Sequence, residues 1–242
     1  MDGIVTNALC VRSVDYLDSK TLLTLCTIEK GKINAVIRGA KSEKSKLRFA
    51  ASLLCFGEYV LAERGGYYTV TNCALTEGFY EVRKDLPRLY SAFAVAELLD
   101  KLTVEHADIS EYVYEGLDAL KGIAYKTDPL LSLLKFLVKA LEFSGFPLSL
   151  KKCMTCGAPV YRGYIDVSRG GGVCLKCQSL ESDAVDPATY GLLYALTYGT
   201  EIPNGVGERH FFEGIHIVYK FISAYADVKI NSVSQLIKLL AT

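Results

Sequence analysis

Cys153-Met154-Thr155-Cys156, answered by Cys174-Leu175-Lys176-Cys177, decides how the second half of this chain is read. Two Cys-x-x-Cys pairs with seventeen residues between them fall inside the spacing of a four-cysteine zinc site. Each pair offers two thiolates from one tight turn, and the two turns together close a tetrahedron around one ion. Gly157 follows the first pair and suits a sharp bend, while Gly170, Gly171 and Gly172 lead into the second. Residues 161–167 alternate large side chains and read as a strand, so the unit is expected to be a zinc-ribbon hairpin. Four thiolates leave no coordination position for water or substrate, so the expected Zn2+ is one structural ion, not a catalytic one. The same cysteines also admit free buried thiols, two disulfides, or a redox pair, although no βαβ pattern surrounds them.

On either side of the ribbon the apolar period is helical. Leu86, Leu89, Phe93, Ala96, Leu99 and Leu102 recur at steps of three and four, and Val113, Leu117, Leu120 and Ala124 mark a second helix. Asp128-Pro129 and Asp186-Pro187 each read as an N-cap followed by proline in the first turn. Gly145 with Pro147 ends the first of these two helices, and Gly199 ends the second. Phe211, Ile215, Val218, Ile222 and Tyr225 share a face of a fifth helix. Ser232 with Gln235 predicts a capping box for a last short one. The ribbon, residues 150–180, is therefore an insertion in a helical domain spanning 81–242.

Residues 1–80 read as strands. Segments 4–14, 21–28, 32–38, 51–62 and 67–73 are β-rich and separated by turn signals at Asp18-Ser19, Lys30-Gly31 and Gly65-Gly66. Five short strands suit a small closed barrel, with an OB-fold expected and an SH3-like barrel as the alternative. The fold class is α+β: a five-stranded OB-fold barrel, then a helical bundle with an inserted four-cysteine zinc ribbon.

Between the third and fourth strands, residues 38–48 carry Arg38, Lys41, Lys44, Lys46 and Arg48 against Glu43 alone. Such an arm is either a solvated loop or a set of phosphate contacts on the barrel rim. In the second case binding is salt-dependent and blind to base identity. Tyr67 and Tyr68 are candidates for base stacking, or for plain packing. A second cationic excess, Lys151, Lys152, Arg162, Arg169 and Lys176, divides between offsetting the zinc thiolates and touching nucleic acid.

Composition narrows the rest. With 27 Lys+Arg against 27 Asp+Glu the chain is neutral, which argues against indiscriminate coating of nucleic acid but permits a local basic face. Cys10, Cys26, Cys55 and Cys73 lack motif spacing and sit in apolar surroundings, as reduced core cysteines do. Met1-Asp2-Gly3 is not the opening of a signal peptide and no apolar run is long enough for a membrane span, so an intracellular, soluble protein is expected. Phosphate-cradling Gly-x-x-x-x-Gly-Lys-Ser/Thr is missing. His106, His210 and His216 share no ligand spacing, and Glu97 and Asp100 carry no catalytic pattern. No enzyme is expected. A zinc-ribbon adaptor that contacts only proteins, and a metal-dependent hydrolase with an open zinc position, are the competing classes.

The residues also carry a resemblance. Asp15-Tyr16-Leu17-Asp18, Leu22-Leu23-Thr24-Leu25, Thr27 and Gly31-Lys32 resemble the first barrel strands of the RecO family of bacterial DNA repair proteins. Arg38-Gly39-Ala40-Lys41 and Ser45-Lys46-Leu47 are similar to its basic loop, and Ala96-Glu97-Leu98-Leu99-Asp100-Lys101-Leu102 to its first long helix. Gly145-Phe146-Pro147, Cys153 to Gly157, and Gly171-Gly172-Val173-Cys174 resemble the entry to and exit from its zinc motif. Asp18 and Cys26 are mild departures. The resemblance implies a cytoplasmic, nucleoid-associated mediator that binds single- and double-stranded DNA and anneals strands coated by single-stranded-DNA-binding protein. It also implies cooperation with RecR in loading RecA, without ATP hydrolysis. The single-strand binder's acidic, apolar tail is expected on the helical domain, with Lys135 or Lys139 as candidate flanks.

Overall fold

A computed structural model describes residues 3–16, 20–42, 44–160 and 163–241. The Asp18-Ser19 turn signal, Glu43, and Tyr161 with Arg162 lie outside the described residues. Five strands, β1 (Ile4–Tyr16), β2 (Lys20–Thr27), β3 (Lys32–Arg38), β4 (Phe56–Arg64) and β5 (Tyr67–Glu77), close a barrel in the order β1-β2-β3-β5-β4. β3 pairs with β5 in parallel and β1 closes antiparallel on β4, which is the OB topology. The cause is strict alternation: Leu23, Leu25, Ile33, Ala35, Ile37, Leu61 and Val70 fill the interior, while their neighbours face outward.

The predicted fourth strand, 51–62, begins too early. Phe49–Ala51 forms a 3-10 turn and Leu54 has a positive φ of 69°, so the chain does not become a strand until Phe56. Phe49, Ala50, Ala51 and Cys55 plug the barrel, while Leu54 packs into the bundle. Ala50 is fully buried in the barrel, and its carbonyl accepts the Tyr59 hydroxyl at 2.9 Å.

Six helices follow: α1 (Leu86–Lys101), α2 (Ser110–Tyr125), α3 (Pro129–Phe143), α4 (Pro187–Tyr198), α5 (Glu208–Tyr225) and α6 (Asn231–Leu240). Between α3 and α4 sits a three-stranded sheet, β6 (Tyr164–Asp166), β7 (Gly171–Val173) and β8 (Asp183–Ala184), in the order β7-β6-β8. Asp186 caps α4 as predicted, accepting from the Ala188 N–H at 2.8 Å. The predicted Ser232–Gln235 box does not cap α6. The carboxylate of Glu97, on α1, takes the Ser232 N–H at 2.9 Å, so tertiary packing supplies the cap that a local box would have made.

Two cores result. One fills the barrel; the other runs through the bundle and continues into the ribbon, and it also includes Leu9, Val11, Cys26 and Leu54 from the barrel's outer side. β1 explains the contact. A bulge between Cys10 and Arg12 lets Leu9 and Val11 face the bundle, while Arg12, Val14 and Tyr16 beyond it face solvent. Among the described residues no helix is long and apolar enough to cross a membrane.

Candidate metal centre and nucleic-acid face

The two Cys-x-x-Cys turns fold onto each other. In the first, the Cys153 N–H donates to Ala158 O at 2.8 Å and Gly157 N–H to Cys153 O at 2.9 Å; in the second, Cys177 N–H donates to Cys174 O at 2.9 Å. All four sulfurs lie within 4.8 Å of one another, and the Cys156 and Cys174 sulfurs are 3.8 Å apart. Four metal–sulfur bonds of about 2.3 Å in a tetrahedron would set its edges at about 3.8 Å, so the donor set fits a tetrahedral ion. Burial works against the Cys153 thiolate. The N–H groups of Cys174, Cys156 and Thr155 and the Cys156 thiol outweigh it and pull its pKa down to about 6. The Cys177 thiol is pushed up to about 12, chiefly by its hydrogen bonds with Cys156 and Cys174. One sulfur is thus ready-ionised at neutral pH and another needs a cation to lose its proton.

The ribbon is braced by residues the spacing did not reveal. Asp166 is buried and accepts from the Ser168 hydroxyl at 2.6 Å, the Ser182 hydroxyl at 3.0 Å and the Arg169 N–H at 3.2 Å. Arg169 pairs with Asp166 at 3.4 Å and ties both turns together, donating to Thr155 Oγ1 at 2.8 Å and Cys177 O at 2.9 Å. Arg169 is therefore committed to the ribbon's own structure. Gly171 must be glycine because a Cβ there would lie 2.1 Å from Ser149 O, where the chain entering the ribbon crosses β7. Burial alone would raise the Asp166 pKa, but its hydrogen bonds and Arg169 hold it low. Its contribution is thus complete above the ordinary carboxylate range near pH 4 and is lost as pH falls through the lower folded value. Asp166→Asn is expected to cost about 3 kcal/mol in urea unfolding at pH 7, and the deficit should shrink in acid.

The five arm cations, Arg38, Lys41, Lys44, Lys46 and Arg48, are all exposed. Lys41 is held 3.1 Å from Asp15, while the other four make no ion pair among the described residues. Ala40 and Ala50 anchor the arm in the barrel core, and successive turns (Ser42 N–H to Gly39 O, Ser45 N–H to Ser42 O) keep it compact.

The strand register adds residues that the sequence did not single out. Tyr16, Lys20 and Arg38 sit side by side on β1, β2 and β3, as do Val14, Leu22 and Val36, then Arg12, Thr24 and Asn34. All nine point out of the barrel, with Thr24 buried near the bundle, and none of the nine is itself a carboxylate. Lys20 directly faces Arg38, an arrangement that costs a sheet roughly 0.2–1 kcal/mol unless an anion offsets it. The face ends at the bundle, where Asn34 hydrogen-bonds Glu105.

Other candidates are structural. Lys139 pairs with Glu142 at 3.0 Å, and Lys135 lines a cavity of about 230 Å³ shared with Glu115, Asp118 and Asp128. His210 is buried, its Nδ1 accepting the Gly207 N–H at 2.9 Å, and His106 and His216 are exposed. Asp100 pairs with Lys32.

Fold and site together define a class: an OB-barrel protein whose helical bundle carries a four-thiol ribbon. The family model for the N-terminal part of recombination protein O matches residues 1–79, and that for its C-terminal part matches 83–232. DNA repair protein RecO of Myxococcus xanthus is 35% identical over 209 residues, 84% of this chain and 85% of that protein. DNA repair protein RecO of Acetivibrio thermocellus is 31% identical over 186 residues, covering 76% of this chain and 73% of that one. The chain belongs to the RecO family, and its role lies in DNA repair.

Proposed function

We propose that this chain is a recombinational repair mediator that holds single- and double-stranded DNA on the outer face of its barrel. On this reading it anneals complementary strands coated by single-stranded-DNA-binding protein and, with RecR, promotes RecA loading. It acts in the cytoplasm, on the nucleoid. The observation that carries the reading is the Lys20–Arg38 pair beside an exposed arm whose Lys44, Lys46 and Arg48 make no ion pair among the described residues, since opposed like charges are relieved by a polyanion. Annealing requires that phosphate repulsion be offset while bases stay free, and cations on a rigid barrel provide this without ATP. The ion proposed for the ribbon is a single Zn2+, chosen by four soft thiolates in tetrahedral array. Filled by sulfur alone, it has no position for a substrate, which supports a protein that breaks no covalent bond.

For the acidic tail of the single-strand binder, the Lys135–Lys139 region has the wrong sign, given Glu115, Asp118, Asp128 and Glu142 around it. A groove of about 520 Å³ between α5 and α6 suits it better: Tyr219 and Ile237 supply apolar walls, and His216 and Lys238 stand there, while Lys220 is already held by the Asp183 carboxylate at 2.8 Å.

The arm is tested at its unpaired members. Reversing Lys44, Lys46 and Arg48 to Glu is expected to weaken oligonucleotide binding and flatten the logarithmic salt dependence by about 2, three contacts at roughly 0.7 each for single strands. Wild-type protein that retains no DNA at low salt, yet binds repair proteins, would establish the adaptor reading instead.

A further inference from the structure

We propose that Tyr16 and Tyr67 are two base-stacking posts at opposite corners of the barrel face, and that they make it prefer unpaired over paired strands. The inference rests on the DNA-binding reading above and adds a strand preference to it.

Tyr67 is 81% exposed and Tyr16 46% exposed. Neither ring stacks on another aromatic or beneath a cation, and neither hydroxyl has a hydrogen-bond partner among the described residues. The buried or anchored tyrosines contrast with them: Tyr59, Tyr190, Tyr198 and Tyr225 all donate to backbone carbonyls. Tyr114 is also 57% exposed, but it lines a hollow with Glu111, Glu115 and Asp118, a setting that repels a polyanion. Tyr80 and Tyr125 are exposed as well, but Arg83 covers the first ring and the second donates its hydroxyl to Glu77, so Tyr16 and Tyr67 are the exposed rings left uncovered beside the barrel's cations among the described residues.

Their placement follows from register. Tyr68 and Val70 of β5 face inward beside Ala35 and Ile37, so Tyr67 and Thr69 face outward next to the Asn34–Val36–Arg38 column. Tyr67 thus lies on the same surface as Arg12, Lys20 and Arg38, and Arg64 sits directly across from it on β4. Gly65 and Gly66, with φ of 58° and 81°, form the two-residue turn that locks this pair in place, a conformation in which other residues are strained. Tyr16 is level with Lys20 and Arg38, three strands away. Measured over the curved surface from strand spacing and rise, the two positions are about 20 Å apart, a run of a few nucleotides. Leu22 and Val36 lie between them as an apolar floor, with Lys20, Arg38 and Arg12 beside it.

The cations meet phosphates of either a single strand or a duplex. The rings meet only bases whose faces are free, because duplex bases are already stacked on one another. Selectivity therefore comes from the tyrosines and salt dependence from the cations.

The full-length protein is titrated with a fluorescein-labelled oligothymidine and with a blunt duplex of equal length, across a range of salt. Tyr67→Ala and Tyr16→Ala are each expected to weaken oligothymidine binding about tenfold, leaving duplex affinity and the salt slope unchanged. Tyr67→Phe should bind like the wild type, because stacking needs the ring and not the hydroxyl. Equal losses on both DNAs, or no loss on either, would overturn the posts while wild-type binding still supports the face. If the wild type bound neither DNA, both readings would fall together.

Discussion

Chelating the ion proposed for Cys153, Cys156, Cys174 and Cys177 will melt the helical half of the molecule while the barrel stays folded. The ribbon is not an appendage: Leu148, Leu150, Cys153, Val160, Ile165 and Val173 belong to one core with the helices. Helices also grip it by polar contacts. Tyr190 donates to Leu150 O at 2.7 Å, and Tyr225 to Val167 O at 2.7 Å. Removing a structural zinc ion withdraws on the order of 10 kcal/mol, which is comparable with the whole stability of a domain. The barrel has a separate interior of its own, so the loss should stop at the junction. Hydrogen exchange before and after chelation reads this directly: protection should vanish in α3, α4 and α5 and persist in β2 and β3. Unchanged protection in those helices would refute a structural ion. The ion binds thiolates and so displaces thiol protons, which makes its affinity rise with pH and fall on acidification. Cys174→Ser, which removes one thiolate, should reproduce the chelated pattern without any chelator.

What could be read in the sequence was what is local. The cysteine spacing, the alternation of Ile33, Ala35 and Ile37, and the helical stripes each lie within a few residues of chain, and the structure has them in the expected elements. Where an apolar run serves a tertiary purpose, periodicity misleads: Ala51, Leu54 and Cys55 read as the start of a strand, but Ala51 and Cys55 pack into the barrel and Leu54 into the bundle. Pairings across the fold were out of reach. Lys20 gains meaning only beside Arg38, and Glu97 only beside Ser232, 135 positions later. From sequence Arg169 fits charge compensation or nucleic-acid contact equally, yet its fork is occupied by Asp166, Thr155 and the Cys177 carbonyl. No composition count distinguishes a cation held inward from one left free.

Replacing Lys32 with Met will uncouple the barrel from the bundle. In the sequence Lys32 is an ordinary lysine at the start of a strand. In the fold its side chain is 13% exposed and reaches the C-terminal end of α1, donating to Asp100 O and Thr103 O at 2.6 Å each and pairing with the Asp100 carboxylate at 3.7 Å. A cation there satisfies helix-terminal carbonyls and complements the helix dipole. Beside it, His106 N–H donates to Lys32 O at 3.1 Å, so the loop after α1 runs alongside β3. Methionine keeps the stem's length and apolar contacts but leaves two carbonyls and a carboxylate without their donor. The expected loss is about 3 kcal/mol, because a partly buried charge stripped of its partner costs more than the pair contributed. The two cores should then part company: one urea transition is expected for the wild type, and separate barrel and helical transitions for the variant. A loss under about 0.5 kcal/mol, the ordinary cost of a surface substitution, with a single transition retained, would show that the apolar contacts of Leu9, Val11 and Cys26 hold the junction without the lysine.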